Sequence, residues 1–175
     1  MENKVILGEK VFLTQITIDD CEDFIRWRNS DFIRSYFIYR QDITLEEQQI
    51  WVRDKVDTGI VAQFVIWDRV DNKKIGCTYL QKIDKEKKEA EFGIFIGEQE
   101  YIGCGRGAEA AKKMIEFGFE KLGLERIYLR ALKENTRAIK SYQKAGFKRE
   151  GHEELVKIEN KDVAVVFMAI KNNWG

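Results

Sequence analysis

Ala90-Glu91-Phe92-Gly93-Ile94-Phe95-Ile96, followed after six residues by Gly103-Cys104-Gly105-Arg106-Gly107, decides the fold of this chain. The first segment reads as a strand. By alternation Glu91, Gly93 and Phe95 share one face, and Ala90, Phe92, Ile94 and Ile96 the other. Past the glycines, Ala108, Ala111, Ile115, Phe119 and Leu122 recur at steps of three and four, the apolar face of a helix ending near Leu122-Gly123. The glycines therefore join a strand to a helix N-terminus, where unpaired N–H groups and the positive end of the dipole face outward. Glycine permits positive φ and close backbone approach, and a pyrophosphate suits such a terminus. A dinucleotide fingerprint needs Gly-x-Gly-x-x-Gly after a first strand, and a phosphate loop of the Walker kind needs Gly-Lys-Ser/Thr. Neither is present. On the glycines alone, an ordinary strand-to-helix turn is an equal reading.

Working outward, Asn135-Thr136-Arg137-Ala138, then Tyr142 and Gly146-Phe147, form a second motif. Asn135 is a good N-cap, Ala138, Tyr142 and Ala145 share one helix face, and Gly146 stops the helix. Tyr142 thus lies on a packed face among small residues. It is either a core tyrosine or a hydroxyl aimed at a ligand.

Val11 to Ile16 reads as a first strand. Thr17 caps a helix over Asp19 to Arg28, and the capping box Thr44-Leu45-Glu46-Glu47 opens another to about Val56. The aromatic-rich connection between them runs from Ser30 to Asp42. Ala62–Trp67, Lys74–Ile83 and Ala90–Ile96 read as consecutive antiparallel strands turning at Asp71-Asn72 and at the charged run Asp84 to Glu89. Glu125–Leu132 is a strand leading to the Asn135 helix. Phe147–Ile158 and Val163–Ile170 form a last hairpin around Glu159-Asn160-Lys161. The order predicts one domain over residues 1–175, an α+β sandwich of helices on a mixed, mostly antiparallel sheet.

Thirty basic and thirty acidic residues balance, so composition offers no signal for nucleic acid or membrane as partner. Cys21, Cys77 and Cys104 are scattered and odd in number, which argues against a disulfide framework or metal site. His152, the single histidine, has no triad partner motif and reads as a strand-end surface residue. No apolar run approaches the roughly 18 residues of a membrane span, and Met1-Glu2-Asn3-Lys4 does not open a signal peptide. A cytoplasmic protein is the expectation.

The two motifs together resemble the GNAT superfamily of N-acetyltransferases. Its pattern is Gln/Arg-x-x-Gly-x-Gly/Ala, then Asn-x-x-Ala-x-x-x-Tyr-x-x-x-Gly-Phe on a second helix. This chain carries Asn135 through Phe147 without a gap, and Ile102-x-x-Gly105-x-Gly107 with Ile102 where the family has Gln or Arg. The resemblance implies that the strands at 90–96 and 125–132 splay apart to admit the pantetheine arm of acetyl-CoA. It assigns the backbone of Ile94, Phe95 and Ile96, the loop Ile102, Gly103, Cys104, Gly105, Arg106, Gly107 and Ala108, and Asn135 to that molecule. It makes Tyr142 the general acid for the departing sulfur. Glu91, one step before the cofactor stretch, is the base expected to take the amine's proton, or else an exposed strand carboxylate. Arg106 is either a phosphate contact or a surface arginine.

The segment Trp27-Arg28-Asn29, Arg34, Ile43 to Glu47 and Trp51 is similar to the branch holding ribosomal-protein N-terminal acetyltransferases, with the spermidine enzymes nearby. That likeness makes Trp27, Arg28, Asn29, Arg34, Tyr36 and Phe37 acceptor contacts, unless the aromatics are core and the arginines surface. Arginines suit an acceptor carrying phosphate or carboxylate. The expected acceptor is a nucleotide amino sugar or a protein N-terminus. A polyamine, or acetyl-CoA sensing without turnover, is the alternative. A homodimer through the C-terminal hairpin stays open.

Overall fold

The computed structural model describes residues 4–173; Met1 to Asn3, the start of the segment read as lacking a signal peptide, lie outside the described residues. Eight strands form one sheet in the order β1-β2-β3-β4-β5-β6-β8-β7. They are β1 (Val5–Leu7), β2 (Val11–Gln15), β3 (Ala62–Asp68), β4 (Lys73–Asp84), β5 (Glu89–Ile96), β6 (Arg126–Leu132), β7 (Lys148–Ile158) and β8 (Lys161–Lys171). Every pairing is antiparallel except β5 with β6. The expected mixed sheet is what the chain builds. The short β1 is an addition to the expected order, because three residues are too few to show a period.

The first expected helix is a 3-10 turn, Ile18–Asp20, continued by α1 (Cys21–Arg28). Thr17 caps the turn reciprocally with Asp20. The connection at 30–42 contains a short helix, α2 (Asp31–Arg34), opened by Ser30. The capping box forms as expected, Glu47 N donating to Thr44 Oγ1 at 3.1 Å and Thr44 N to Glu47 Oε2 at 2.7 Å. It opens α3 (Leu45–Trp51), which relaxes into a wider π turn at Val52–Val56. The two remaining helices are α4 (Arg106–Glu120) and α5 (Thr136–Lys144).

Each face of the sheet is covered. One buries Phe64, Ile66, Leu80, Ala90, Phe92, Ile127 and Leu129 with Ala110, Ala111, Met114 and Ile115 of α4, whose three- and four-residue spacing put them on one side. Burying each such large side chain stabilises the fold by roughly 1.5–3 kcal/mol. The other face buries Val65, Cys77 and Phe95 with Phe24, Trp27 and Ile33. Strand β8, the apolar Val163–Phe167 stretch included, lies between β6 and β7, so only β7 is left at that edge.

A polar clasp fixes where α4 begins. Glu109 accepts backbone N–H groups of Glu9, Lys10 and Val11 at 3.0, 2.8 and 2.8 Å, tying the first turn of the helix to the β1–β2 hairpin. Three donors on one carboxylate are charge-assisted bonds and strong for surface contacts.

Candidate active site

The ladder between β5 and β6 is three pairs long and ends at Glu91 opposite Tyr128. Beyond it β6 continues along β8 to Leu132, while Phe92–Ile96 has β4 on one side and no strand on the other. This is the expected splay. It leaves backbone N–H and C=O groups of a strand edge free to pair with an extended, amide-bearing guest. A cavity of about 890 Å³ opens here, lined among others by Gly93, Ile94, Phe95 and Ile96.

The glycine loop borders the same cavity. Gly105 is the N-cap of α4 with φ 82°, a left-handed conformation costly to a residue with a Cβ. Ile102, Gly103, Gly105, Gly107 and Ala108 line the cavity, as does Asn135. Asn135 caps α5, its Oδ1 accepting the Ala138 N–H at 3.3 Å. Exposed Arg137, Lys140 and Lys144 of α5 add positive charge to the lining.

Cys104 and Arg106 do not contribute side chains to the cavity lining. The Cys104 thiol donates to Tyr101 O at 2.8 Å. Arg106 pairs with the fully buried Asp68 and lies over the Tyr101 ring, with 5.3 Å to its centroid. Arg106, expected as either a phosphate contact or a surface arginine, is thus held by a buried carboxylate. Burial pushes the Asp68 carboxyl upward, yet the Asp71 N–H and Arg106 outweigh that and hold it below the usual carboxylate range. Tyr101 hydroxyl donates to Asp71 at 2.5 Å, so two links hold the glycine loop to the β3–β4 turn.

Tyr142 reaches the cavity from α5, edge-on to Phe92 and Phe147 at 6.2 and 6.0 Å. Burial among these rings pushes its phenol up to about 12. It stays protonated at neutral pH and can donate. Its hydroxyl has no hydrogen-bond partner among the described residues.

Glu91 is not the exposed strand carboxylate; it is 6% exposed and lines the cavity. Gln81 Nε2 donates to it at 2.8 Å, and Lys82 and Arg130 each approach at 3.3 Å. A bulge in β4 between Gln81 and Asp84, with Lys82 at φ 49°, accompanies this contact.

Of the expected acceptor contacts, Arg28, Tyr36 and Phe37 line the cavity; Trp27, Asn29 and Arg34 do not. Trp27 is core, its indole N–H bonded to Glu98 at 2.9 Å and its ring edge-on to Phe95. Asn29 makes two backbone bonds to Ile43, at 2.8 and 2.9 Å, that fasten the end of α1 to the start of α3. Arg34 is spent on Asn29 O and Asp42. Arg28 is 4% exposed, with its guanidinium 3.9 Å from the Phe37 ring centroid and bonded to Tyr39 O. Gln48 of α3 and Gln63, Tyr79 and Gln81 of β3 and β4 also line the cavity. Sequence reasoning did not name these. Strand alternation alone could have grouped Tyr79 with Gln81, but their meeting with Glu91 depends on register.

An acetyltransferase (GNAT) domain model matches residues 10–148. The chain belongs to the GNAT family. Among curated relatives of this GNAT chain, the spermidine N(1)-acetyltransferase of Escherichia coli K12 is 42% identical over 81 residues, 46% of this chain and 43% of that enzyme. The match to this relative thus spans less than half its length. The Vibrio cholerae spermidine N(1)-acetyltransferase is 29% identical over 71% of this chain and 70% of its own. A crystal structure of the Vibrio cholerae enzyme with CoA and spermine superposes with a TM-score of 0.84 at 26% identity, covering 94% of this chain and 96% of that one. A ribosomal-protein-S5-alanine acetyltransferase from Vibrio fischeri shares the GNAT fold, with a TM-score of 0.84 at 19% identity over 98% of both chains. No metal-binding cluster of His, Cys, Asp or Glu occurs among the described residues. No helix among them is long and apolar enough to cross a membrane.

Proposed function

We propose that this GNAT domain transfers the acetyl group of acetyl-CoA to a primary amine of a polyamine. The observation that carries the reading is one cavity lined both by the glycine loop and by Tyr142 and Glu91. The loop backbone and the free edge of β5 hold the cofactor and aim its thioester, which supplies rate by positioning. The amine nitrogen attacks the carbonyl carbon, the carbon–sulfur bond breaks, and Tyr142 gives its phenolic proton to the departing sulfur. Glu91 takes the proton the amine loses, directly or through water. The polyamine acceptor is supported by the spermidine enzymes among the relatives, which displaces the expectation of a sugar nucleotide or protein N-terminus as the leading choice.

One feature favours that earlier expectation as a second reading. Arg28 Nη1 and Gln48 Nε2, both on residues lining the cavity, are buried without a hydrogen-bond partner among the described residues. Unpaired buried donors are costly, and an acceptor bearing phosphate or carboxylate oxygens would satisfy them. Thiol release from acetyl-CoA, followed with spermidine, spermine, amino-sugar nucleotides and peptides and a no-acceptor control, tests both. Turnover with polyamines supports the first reading, and turnover only with anionic acceptors replaces it by the second. Binding of acetyl-CoA without turnover of any amine would leave a sensor.

A further inference from the structure

Tyr79 of β4 stands directly opposite Gly93 of β5. A Cβ on Gly93 would lie 2.1, 2.3 and 2.5 Å from Tyr79 Cζ, Oη and Cε2. No real side chain tolerates such contacts, so the phenol ring crosses β5 through space that only glycine leaves open. Both residues line the cavity. The next pair along the ladder on this face is Gln81 opposite Glu91, already bonded to each other.

The Tyr79 phenol is surrounded by the groups the reaction needs. Burial raises its pKa first, and the charge of Glu91 adds to this. Tyr142 acts in the same direction and Arg28 against it. The phenol therefore remains neutral. Its hydroxyl has no hydrogen-bond partner among the described residues. A half-buried phenol with an idle hydroxyl, placed across a strand edge in a cavity, is an unused binding group.

We infer that Tyr79 is the acceptor-positioning residue: its ring walls the acceptor end of the cavity and its hydroxyl accepts an N–H of the incoming amine. Gly93 is the position that makes room for it. This rests on the acetyltransferase reading above. The chemistry favours a neutral hydroxyl here. A second carboxylate beside Glu91 would further stabilise the ammonium form and raise the amine's pKa, whereas attack needs the nitrogen unprotonated.

The test uses the purified protein and the best amine from the acceptor panel. Tyr79→Phe keeps the ring and removes the hydroxyl. It raises the amine KM about tenfold, the worth of one hydrogen bond, with kcat within about twofold. Calorimetric affinity for acetyl-CoA stays at the wild-type value, which also certifies the fold. Gly93→Ala displaces the ring and raises the amine KM similarly, but adds nothing once Tyr79→Ala is present, the coupling expected of two residues in contact. Tyr79→Glu moves the acidic limb of kcat/KM to higher pH. A wild-type amine KM in Tyr79→Phe, or a Gly93→Ala penalty undiminished in the Tyr79→Ala background, overturns the inference. If polyamines are inert and another amine is taken, the acceptor class falls while Tyr79 is judged with that amine. If acetyl-CoA binds and every amine is inert, the transferase reading falls and this inference with it.

Discussion

Glu91 and Tyr128 form the last pair between β5 and β6, and the candidate active-site cavity begins where their ladder stops. A single residue thus belongs to both the sheet and the site. Glu91 is held by Gln81, Lys82 and Arg130 at the point where the sheet opens, so its carboxylate is fixed in place before any substrate arrives. In the proposed mechanism such preorganisation removes reorganisation cost from the chemical step.

Tyr142→Phe removes the proposed proton donor while keeping the ring against Phe92 and Phe147. The expected result is a fall in kcat of about 100-fold or more, with unchanged affinity for acetyl-CoA. Because the phenol ionises only near 12, wild-type kcat loses no donor as pH rises through 10. An alkaline limb below that range belongs to another group. Stopped-flow thiol release with parallel calorimetry measures both quantities, and wild-type turnover in the variant removes Tyr142 from the mechanism.

Glu91→Gln keeps the shape and the bond to Gln81 but loses the proposed base. It lowers kcat by about 100-fold and abolishes the acidic limb that reports deprotonation of a base. An unchanged pH–rate profile sinks the assignment.

Asp68→Asn strands the Arg106 charge beside a fully buried amide. The expected loss is about 3 kcal/mol of unfolding free energy, at the low end for a broken buried pair because Arg106 keeps 21% side-chain exposure. The Asp68 carboxyl titrates lower in the folded protein than in the unfolded chain. Its contribution is therefore complete above the unfolded carboxylate pKa and disappears as pH falls through the folded value. Wild type and variant converge in strong acid; a difference that stays constant down to that range contradicts the pairing. Acetyl-CoA binding weakens as well, since the pair anchors the first residue of α4.

Gly105→Ala forces a Cβ into φ 82°, at a cost of about 1–2 kcal/mol. Lys10 Nζ, 2.8 Å from that Cβ, is the end of a flexible chain and moves aside. Chemical denaturation registers the loss, and calorimetry registers weaker binding of acetyl-CoA. An equally stable variant means the loop adopts another conformation.

Much of this was legible along the chain. The strand at 90–96, the glycine turn, the helix after it and the Asn135-capped helix are each set by local rules: alternation, three- and four-residue spacing, caps and stops. The capping box at Thr44 formed atom for atom. Local rules failed where packing decides. Trp27 and Asn29 flank Arg28 in sequence and Arg34 lies six residues on, yet packing sends the indole to Glu98, the amide to Ile43 and the guanidinium to Asp42. Only Arg28 of these lines the cavity. Arg106 sits in the motif but turns to Asp68, 38 residues earlier, because a buried carboxylate requires a partner.

The sequence by itself determined the order of the main strands and helices, the helix terminus that suits a diphosphate, and the presence of a tyrosine on the helix that follows, because each depends on neighbours within a few residues. Tertiary structure alone decided that β5 and β6 part after Glu91, and that Tyr79 crosses Gly93 to join it. Register and strand divergence depend on contacts between segments far apart in the chain, and no local pattern encodes them.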